Sequence, residues 1–294
     1  MSRTPLVSVI VPTRKRHHLL PRCLQSLYAQ TFPDFEIVLV DDNPPGSRVA
    51  AQASLRGALA DPRLRLVENP APRNAAAARN CGLRAARGRW ITYLDDDDAY
   101  RPQKLVSQLR AIEQANATVA ACGLAYRMAG RIRMLHVTQT QFAGDDLLLH
   151  FPAMPAIFHP PTDVLFDEGL AAAEDLYFYH ALLRRLRVRR VCNVPEPLID
   201  VYMHEEARVN LNAEAAWKGS LAVWRDFGTC YSERAREIFY LRSRLAYCKV
   251  RGGRLPELAR VAWRLASLHG REDGRKIIGA MLFQVPALRR FLIS

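Results

Sequence analysis

The sequence predicts an α/β fold: a Rossmann-like, mostly parallel central sheet flanked by helices, with a C-terminal helical extension. Three observations point there. Strand-like and helix-like patterns alternate four times in roughly the first 110 residues. The strand segments are nearly continuous apolar runs, as in sheets covered on both faces. Two of those runs lead straight into acidic residues, at the sheet edge where ligands of open α/β folds bind.

Leu6–Val11 (LVSVIV) reads as the first strand, closed by Pro12-Thr13. Leu19–Gln30 follows with Leu19, Leu20, Cys23, Leu24 and Leu27 at helical spacing. Phe35–Val40 is a second buried strand running into Asp41-Asp42, and Asn43-Pro44-Pro45-Gly46 is a turn. A helix is expected over Arg48–Leu59 and a third strand over Arg63–Glu68. The Ala-rich stretch Asn74–Arg87 favours helix. Arg89–Leu94 is a fourth strand, entering Asp95–Asp98, and a helix starts at Pro102 and runs to Glu113. Beyond residue 115 strands are expected at Thr118–Tyr126, Arg131–Val137 and Arg189–Val194, a loop-rich lid at Gly144–Pro161, and a helix at Glu174–Arg187. Residues 214–294 read as mostly helical, which divides the chain into 1–213, with halves near 1–115 and 116–213, and 214–294.

Of the 294 residues, 49% are hydrophobic and 24% charged, the balance of a folded domain. No apolar run reaches the ~18 residues of a membrane-spanning helix. The N-terminal basic residues follow the apolar stretch instead of preceding it, which argues against a signal peptide and for a cytoplasmic location. The six cysteines then stay reduced, and none forms a C-x-x-C pair. The net charge of +13 is uneven: 17 basic against 10 acidic residues in 1–110, 16 against 16 in 111–250, and 9 against 3 in 251–294. Such a surface suits nucleic acid, anionic lipid or phosphorylated small molecules. No zinc-finger, RNP or zipper pattern is present, so nucleic acid is not expected.

Four successive carboxylates in a dry cleft repel one another, and a divalent cation removes that cost. Their hard oxygens suit Mg²⁺ or Mn²⁺, with substrate phosphates completing the shell. The competing reading of Asp95–Asp98 is a solvated acidic turn at the start of the next helix.

In order along the chain stand Val7–Thr13, Cys23–Leu27 with Gln30-Thr31, Glu36–Asp42, Ala78–Leu83, Ala86–Gly88 and Leu94–Asp98. Together they resemble the family 2 glycosyltransferases of GT-A fold, closely over residues 5–110 and loosely to 210. The resemblance implies a GT-A catalytic domain over 1–213, with the nucleotide-sugar in the first half and the acceptor in the second. It implies that Pro12, Thr13 and either Asp41 or Asp42 hold the nucleotide base, and that Arg79 lies near the nucleotide. By resemblance Asp95 and Asp97 match the DxD pair, in a four-acid run that also allows the register shifted by one position, with Asp97 a metal ligand and Asp96 directed to the ribose. Phe166-Asp167-Glu168 with Glu174-Asp175 matches the FDE…ED element, whose carboxylate is the catalytic base, here Asp175 beside Glu174. Pro197–His204 matches the segment whose histidine, His204, sits near metal and diphosphate. The alternatives are ordinary: a turn-forming Asp42, a solvated Arg79, first-turn charges at Glu174 and Asp175, a structural His204.

The implied activity is inverting transfer, assisted by Mn²⁺ or Mg²⁺, from a nucleoside-diphosphate sugar, UDP favoured, to a hydroxyl of a saccharide or lipid-linked acceptor, as in cell-envelope glycan synthesis. Two departures stand out. The usual Tyr-Asn after the first strand is Arg14-Lys15-Arg16-His17-His18, whose cations suit phosphate, and the usual Asp-Gly-Ser is Asp42-Asn43-Pro44-Pro45-Gly46. Acceptor choice is expected in Gln139–Pro161, where the match fades. The tail carries Leu258, Val261, Leu265 and Leu268 at helical spacing, then apolar Ile277–Phe283 and Leu288–Ile293 flanked by basic pairs. It suits either an anionic membrane surface, at the inner face of the cytoplasmic membrane, or packing on this chain or a second copy. Rival functions are a nucleotidyltransferase, which would need a Gly-rich N-terminal loop that Pro12-Thr13-Arg14 lacks, and a non-catalytic basic binding module, which leaves acids at two strand ends unexplained.

Overall fold

A computed structural model describes residues 4–128, 131–135, 139–203, 212–251 and 255–269. The chain divides into two compact units, Met1–Gly169 with Glu174–Glu206, and Leu170–Ala173 with Ala207–Ser294.

The first unit is the expected α/β sheet. Its strands are β1 (Val7–Thr13), β2 (Phe35–Asp41), β3 (Leu64–Glu68), β4 (Trp90–Tyr93), β5 (Ala99–Tyr100), β6 (Ala120–Met128), β7 (Arg131–Leu135), β8 (Gln141–Ala143), β9 (Phe158–His159) and β10 (Arg190–Tyr202). They lie in the order β3-β2-β1-β4-β9-β6-β10-β5, with β7 on β6 and β8 on β10. The first four are parallel neighbours, β6 and β10 are parallel, and β9 runs antiparallel to both β4 and β6. Apolar β-branched sequence explains the centre: β2 is buried along its length and β1 everywhere except Pro12. The register aligns Thr13 with Asp41 and Asp41 with Glu68, so these strands end level at one edge.

Helices α1 (Leu20–Tyr28), α2 (Ala75–Ala85), α3 (Lys104–Ala115), α4 (Asp146–Leu149) and α5 (Glu174–Arg185) complete this unit. α1 buries Leu20, Cys23, Leu24 and Leu27, the predicted stripe. α2 begins at an Asn74 cap whose side-chain oxygen accepts from the Ala77 N–H at 2.9 Å. It lies so close to the sheet that a Cβ on Gly82 would stand 2.4 Å from Ile10 Cγ2.

Three expectations are corrected. The helix at Arg48–Leu59 is instead three short 3₁₀ turns, Val49–Ala51, Ala53–Leu55 and Ala58–Ala60. Its first turn is tied to the end of β2, since Asp41 accepts the Val49 N–H and Arg48 donates to the Asp41 and Asn69 carbonyls. Gln52 then takes an extended backbone that breaks the helical ladder. Gly144–Pro161 is no lid: Leu147, Leu148, Met154, Ala156, Ile157 and Phe158 are buried, and β9 is inserted between β4 and β6. Thr92 and Gln108 side chains satisfy the carbonyls of Ile157 and Ala156, which lets this segment run through the core. The strand expected at Arg189–Val194 continues to Tyr202, passing Pro195 and Pro197 with register shifts against β6. Gly123 faces that irregularity, where a Cβ would meet the Pro195 carbonyl at 2.7 Å.

Lys104 is fully buried, with its ammonium on Thr92 Oγ1 and Tyr100 Oη. Burial lowers its pKa from 10.5 to about 7. Between those values the unfolded chain binds a proton that the folded chain does not, so this residue makes stability rise with pH there, by at most about 1.4 kcal/mol per pH unit. Thr92 and Tyr100 keep carbonyl partners at Ile157 and Tyr93 without it. Lys104→Met is therefore expected to fold and to lose this component. Urea denaturation of both proteins at pH 7 to 10 checks it: parallel stability curves would refute the assignment.

The second unit holds α6 (Ala213–Phe227), α7 (Glu233–Arg251) and α8 (Leu255–His269). Trp217 meets Tyr240 and Tyr247 across α6 and α7, and Arg264 pairs with Glu237 across α8 and α7. Of the predicted tail stripe, Leu265 is buried and Leu258, Val261 and Leu268 are half-buried, while Trp263 is exposed. The segments Ile277–Phe283 and Leu288–Ile293 lie outside the described residues. Among the described residues no helix is long and apolar enough to cross a membrane.

Candidate active site

The carboxyl ends of β1 and β2 carry the first group of candidates. Asp41 is fully buried and is consumed by its own loop: Oδ1 accepts from the backbone and side chain of Asn43, Oδ2 from the Val49 N–H. Asp42, also buried, is bonded instead to the loops after β1 and β3. It accepts from Arg14 Nη1 at 3.0 Å and from Asn69 Nδ2 at 2.6 Å. Pro12 and Thr13 close β1 opposite Val40 and Asp41. Lys15 sits in the left-handed region at φ 58°, with its N–H on Asn43 Oδ1. This turn joins the two loops and flanks Lys15 with Arg14 and Arg16, both paired with acids.

The acidic run turns sharply after β4, the Asp98 N–H reaching the Asp95 carbonyl at 3.1 Å. Its four side chains separate. Asp96 is buried, and its two oxygens take Thr13 Oγ1 at 2.8 Å and Arg16 at 3.3 Å. Burial drives its pKa up to about 7 against the pull of Thr13 and Arg16, and Asp97 and Asp95 add to the rise. The resemblance implies that Asp96 reaches the ribose; here its carboxylate is held by Thr13 at the end of β1 and by Arg16. Asp98 accepts the Tyr202 N–H at 3.0 Å, tying the run to the end of β10. Asp97 accepts from Arg16 at 2.9 Å through Oδ2, and Asp95 from Arg79 at 2.9 Å through Oδ1. Arg22 holds the Asp97 carbonyl and lies 3.7 Å over the Tyr202 ring.

The third group stands at the start of α5. Arg79, on α2, is 6% exposed and joins the two groups: one amino group donates to Asp95 and the other to Glu174 at 3.0 Å. It is a buried bridge, not a solvated helix arginine. Asp175 Oδ1 accepts the Leu176 N–H at 2.7 Å. Burial pushes the Asp175 carboxyl up to about 6, Glu174 adds to the rise, and Arg79 opposes it.

Asp95 and Asp97 each keep one carboxylate oxygen outside these bonds, which gives a hard donor pair of the type that takes a divalent cation together with phosphates. The residues present thus fit such an ion on donor chemistry. Among the described residues no group of three or more His, Cys, Asp or Glu is arranged around one point for a metal. His204 lies outside the described residues. Sequence reasoning missed Asn69, gave Asn80 only as part of the Ala78–Leu83 stretch and gave Arg16 only as part of a basic stretch. Their partners lie 27, 86 and 81 residues away, and no local pattern encodes such pairings.

The family model described as "Glycosyl transferase family 2" matches residues 8–169, more than half of the chain. The succinoglycan biosynthesis protein ExoO of Rhizobium meliloti (strain 1021) is 31% identical over 194 residues, 60% of this chain and 55% of that protein. The chain thus spans about half the length of this curated relative. Among solved structures, S. aureus TarS 1-349 in complex with UDP-GlcNAc superposes with a TM-score of 0.64 at 16% identity, over 95% of this chain and 81% of that one. The mannosyltransferase PcManGT of Pyrobaculum calidifontis, in complex with GDP-Man and Mn²⁺, gives 0.63 at 19% identity, over 99% and 84%. At such identities the likeness is one of fold.

Proposed function

Since the chain belongs to glycosyl transferase family 2, we propose that it moves a sugar from a nucleoside-diphosphate donor, UDP favoured, to an acceptor hydroxyl on a saccharide, with inversion in a single displacement. The observation that carries this reading is Arg79: one buried guanidinium spans Asp95 of the acidic run and Glu174 beside Asp175. Donor-side and acceptor-side acids therefore lie within one side chain's reach.

Asp175 serves as the base. Its carboxylate takes the proton of the acceptor hydroxyl while that oxygen attacks the anomeric carbon, and the bond to the diphosphate oxygen breaks on the opposite face. No enzyme nucleophile is required. Glu174 holds Arg79 in place. Asp42, beside Asn69 and Arg14, is the carboxylate for the imide N–H of the base, and Arg14 and Arg16, which pair with Asp42 and Asp97 in this structure, are the cations that phosphate oxygens would compete for. Asp97 and Asp95 would hold Mn²⁺ or Mg²⁺, which supplies charge neutralisation at the leaving diphosphate. Residues 1–213 form the catalytic domain in this reading, and 214–294 an extension. ExoO's part in succinoglycan biosynthesis supports a saccharide acceptor. The bound UDP-GlcNAc of TarS and Mn²⁺ of PcManGT support the donor and ion classes.

The test is a thermal-shift panel of UDP, GDP, dTDP and RNA with Mn²⁺, followed by UDP-sugar hydrolysis without acceptor. Stabilisation by UDP and slow release of UDP from at least one sugar donor are expected. Stabilisation by RNA alone, with every donor intact, would refute the reading.

A further inference from the structure

α2 does more than support Arg79. The next residue, Asn80, is 1% exposed and spends its whole amide on the segment leading to α5. Its Oδ1 accepts the Phe166 N–H at 2.8 Å, and its Nδ2 donates to the Phe166 carbonyl at 3.0 Å and to Glu168 Oε1 at 2.9 Å. The side chain thus pairs with one residue's backbone as a neighbouring strand would. Asn74 adds a bond to the Glu168 carbonyl at 3.0 Å. From Phe166 the path is direct. Its ring stacks on Phe178 with centroids 4.0 Å apart and planes 5° from parallel, and Tyr93 meets both rings edge-on. Phe178 lies one helical turn after Asp175 on α5. Only a carboxamide of this length offers both the acceptor and the donors. Aspartate would set a carboxylate against Glu168, and an apolar residue would strand two backbone groups in the core.

We propose that Asn80 is a positioning residue for the proton acceptor: it fixes the Phe166 backbone, and through the Phe166–Phe178 stack the rotation and depth of α5, and so the place of Asp175. The inference rests on the reading of Asp175 as base. Asn80 touches no reacting atom in this scheme.

The test uses full-length Asn80→Ala, Asn80→Asp, Asp175→Asn and the double variant Asn80→Ala/Asp175→Asn. Each is assayed with the UDP-sugar that the wild-type chain turns over fastest, and for UDP binding. Asn80→Ala should lower kcat by about ten-fold or more, because sub-ångström misplacement of a base is costly. Its Kd for UDP should stay within about two-fold, since Thr13, Asp42 and Asp96 are held by other elements. On the Asp175→Asn background it should cost nothing further, since both act through one group. A wild-type kcat in Asn80→Ala overturns the proposal, as does a loss of UDP affinity in step with kcat, or a multiplicative loss in the double variant. If Asn80→Ala does not fold, Asn80→Asp, which keeps the acceptor for the Phe166 N–H, is judged on the same criteria. An inactive Asp175→Asn beside a fully active Asn80→Ala sinks this inference alone. A fully active Asp175→Asn sinks the base assignment and the inference with it.

Discussion

Asp175→Asn is expected to lower kcat by about 10²- to 10⁴-fold, the range general-base removal gives, while UDP affinity changes little. The amide keeps the shape of the side chain and can still accept the Leu176 N–H, but it cannot take a proton. The wild-type pH profile follows from the same group. A base must be ionised to act, and Asp175 is held up to about 6. The rate should fall as pH drops through about 6, by about ten-fold per unit well below it, and should be level above. Initial rates of UDP release between pH 4.5 and 8 measure this. A profile flat to pH 4.5, or an Asp175→Asn variant near the wild-type rate, would place the base elsewhere.

The second large effect is at Asp97. Asp97→Ala is expected to weaken Mn²⁺-supported UDP binding by roughly ten- to a hundred-fold, as loss of an inner carboxylate oxygen does. Binding of UDP without added metal should hold or improve, because Arg16 loses its 2.9 Å partner and its charge becomes available to phosphate. A loss confined to the Mn²⁺ condition distinguishes a lost ligand from a damaged fold. Titration calorimetry under both conditions reads the two constants. Unchanged Mn²⁺ dependence would contradict the assignment.

Much of this was legible in the sequence, for a physical reason. Strands buried on both faces must be apolar throughout, so β1, β2 and β4 announce themselves, and with them the acids that follow β2 and β4. The Asn74 start of α2 and the acidic first turn of α5 are likewise local signals. What stayed hidden depends on distant partners. Arg48–Leu59 has helical composition, and bonds to the Asp41 carboxylate and to the Asp41 and Asn69 carbonyls, at the ends of β2 and β3, hold its first turn in another shape. Ile157-Phe158 is too short a run to signal a strand until β4 and β6 stand on either side of it. Arg79 could be placed near the site by resemblance, but its two simultaneous partners, 16 and 95 residues away, exist only in the fold.

Arg79 has an implication for how the two subsites communicate. Two acids from separate elements draw on one guanidinium, so what happens at one is felt at the other. If Asp95 turns toward an arriving donor, the arginine's charge leans wholly on the Glu174 side, and a nearer cation favours the ionised form of Asp175. Occupation of the first subsite then readies the second, and thermodynamic reciprocity makes an ionised base favour the donor in return. Under the proposed roles, donor binding and ionisation of the base are therefore coupled through one side chain, each favouring the other.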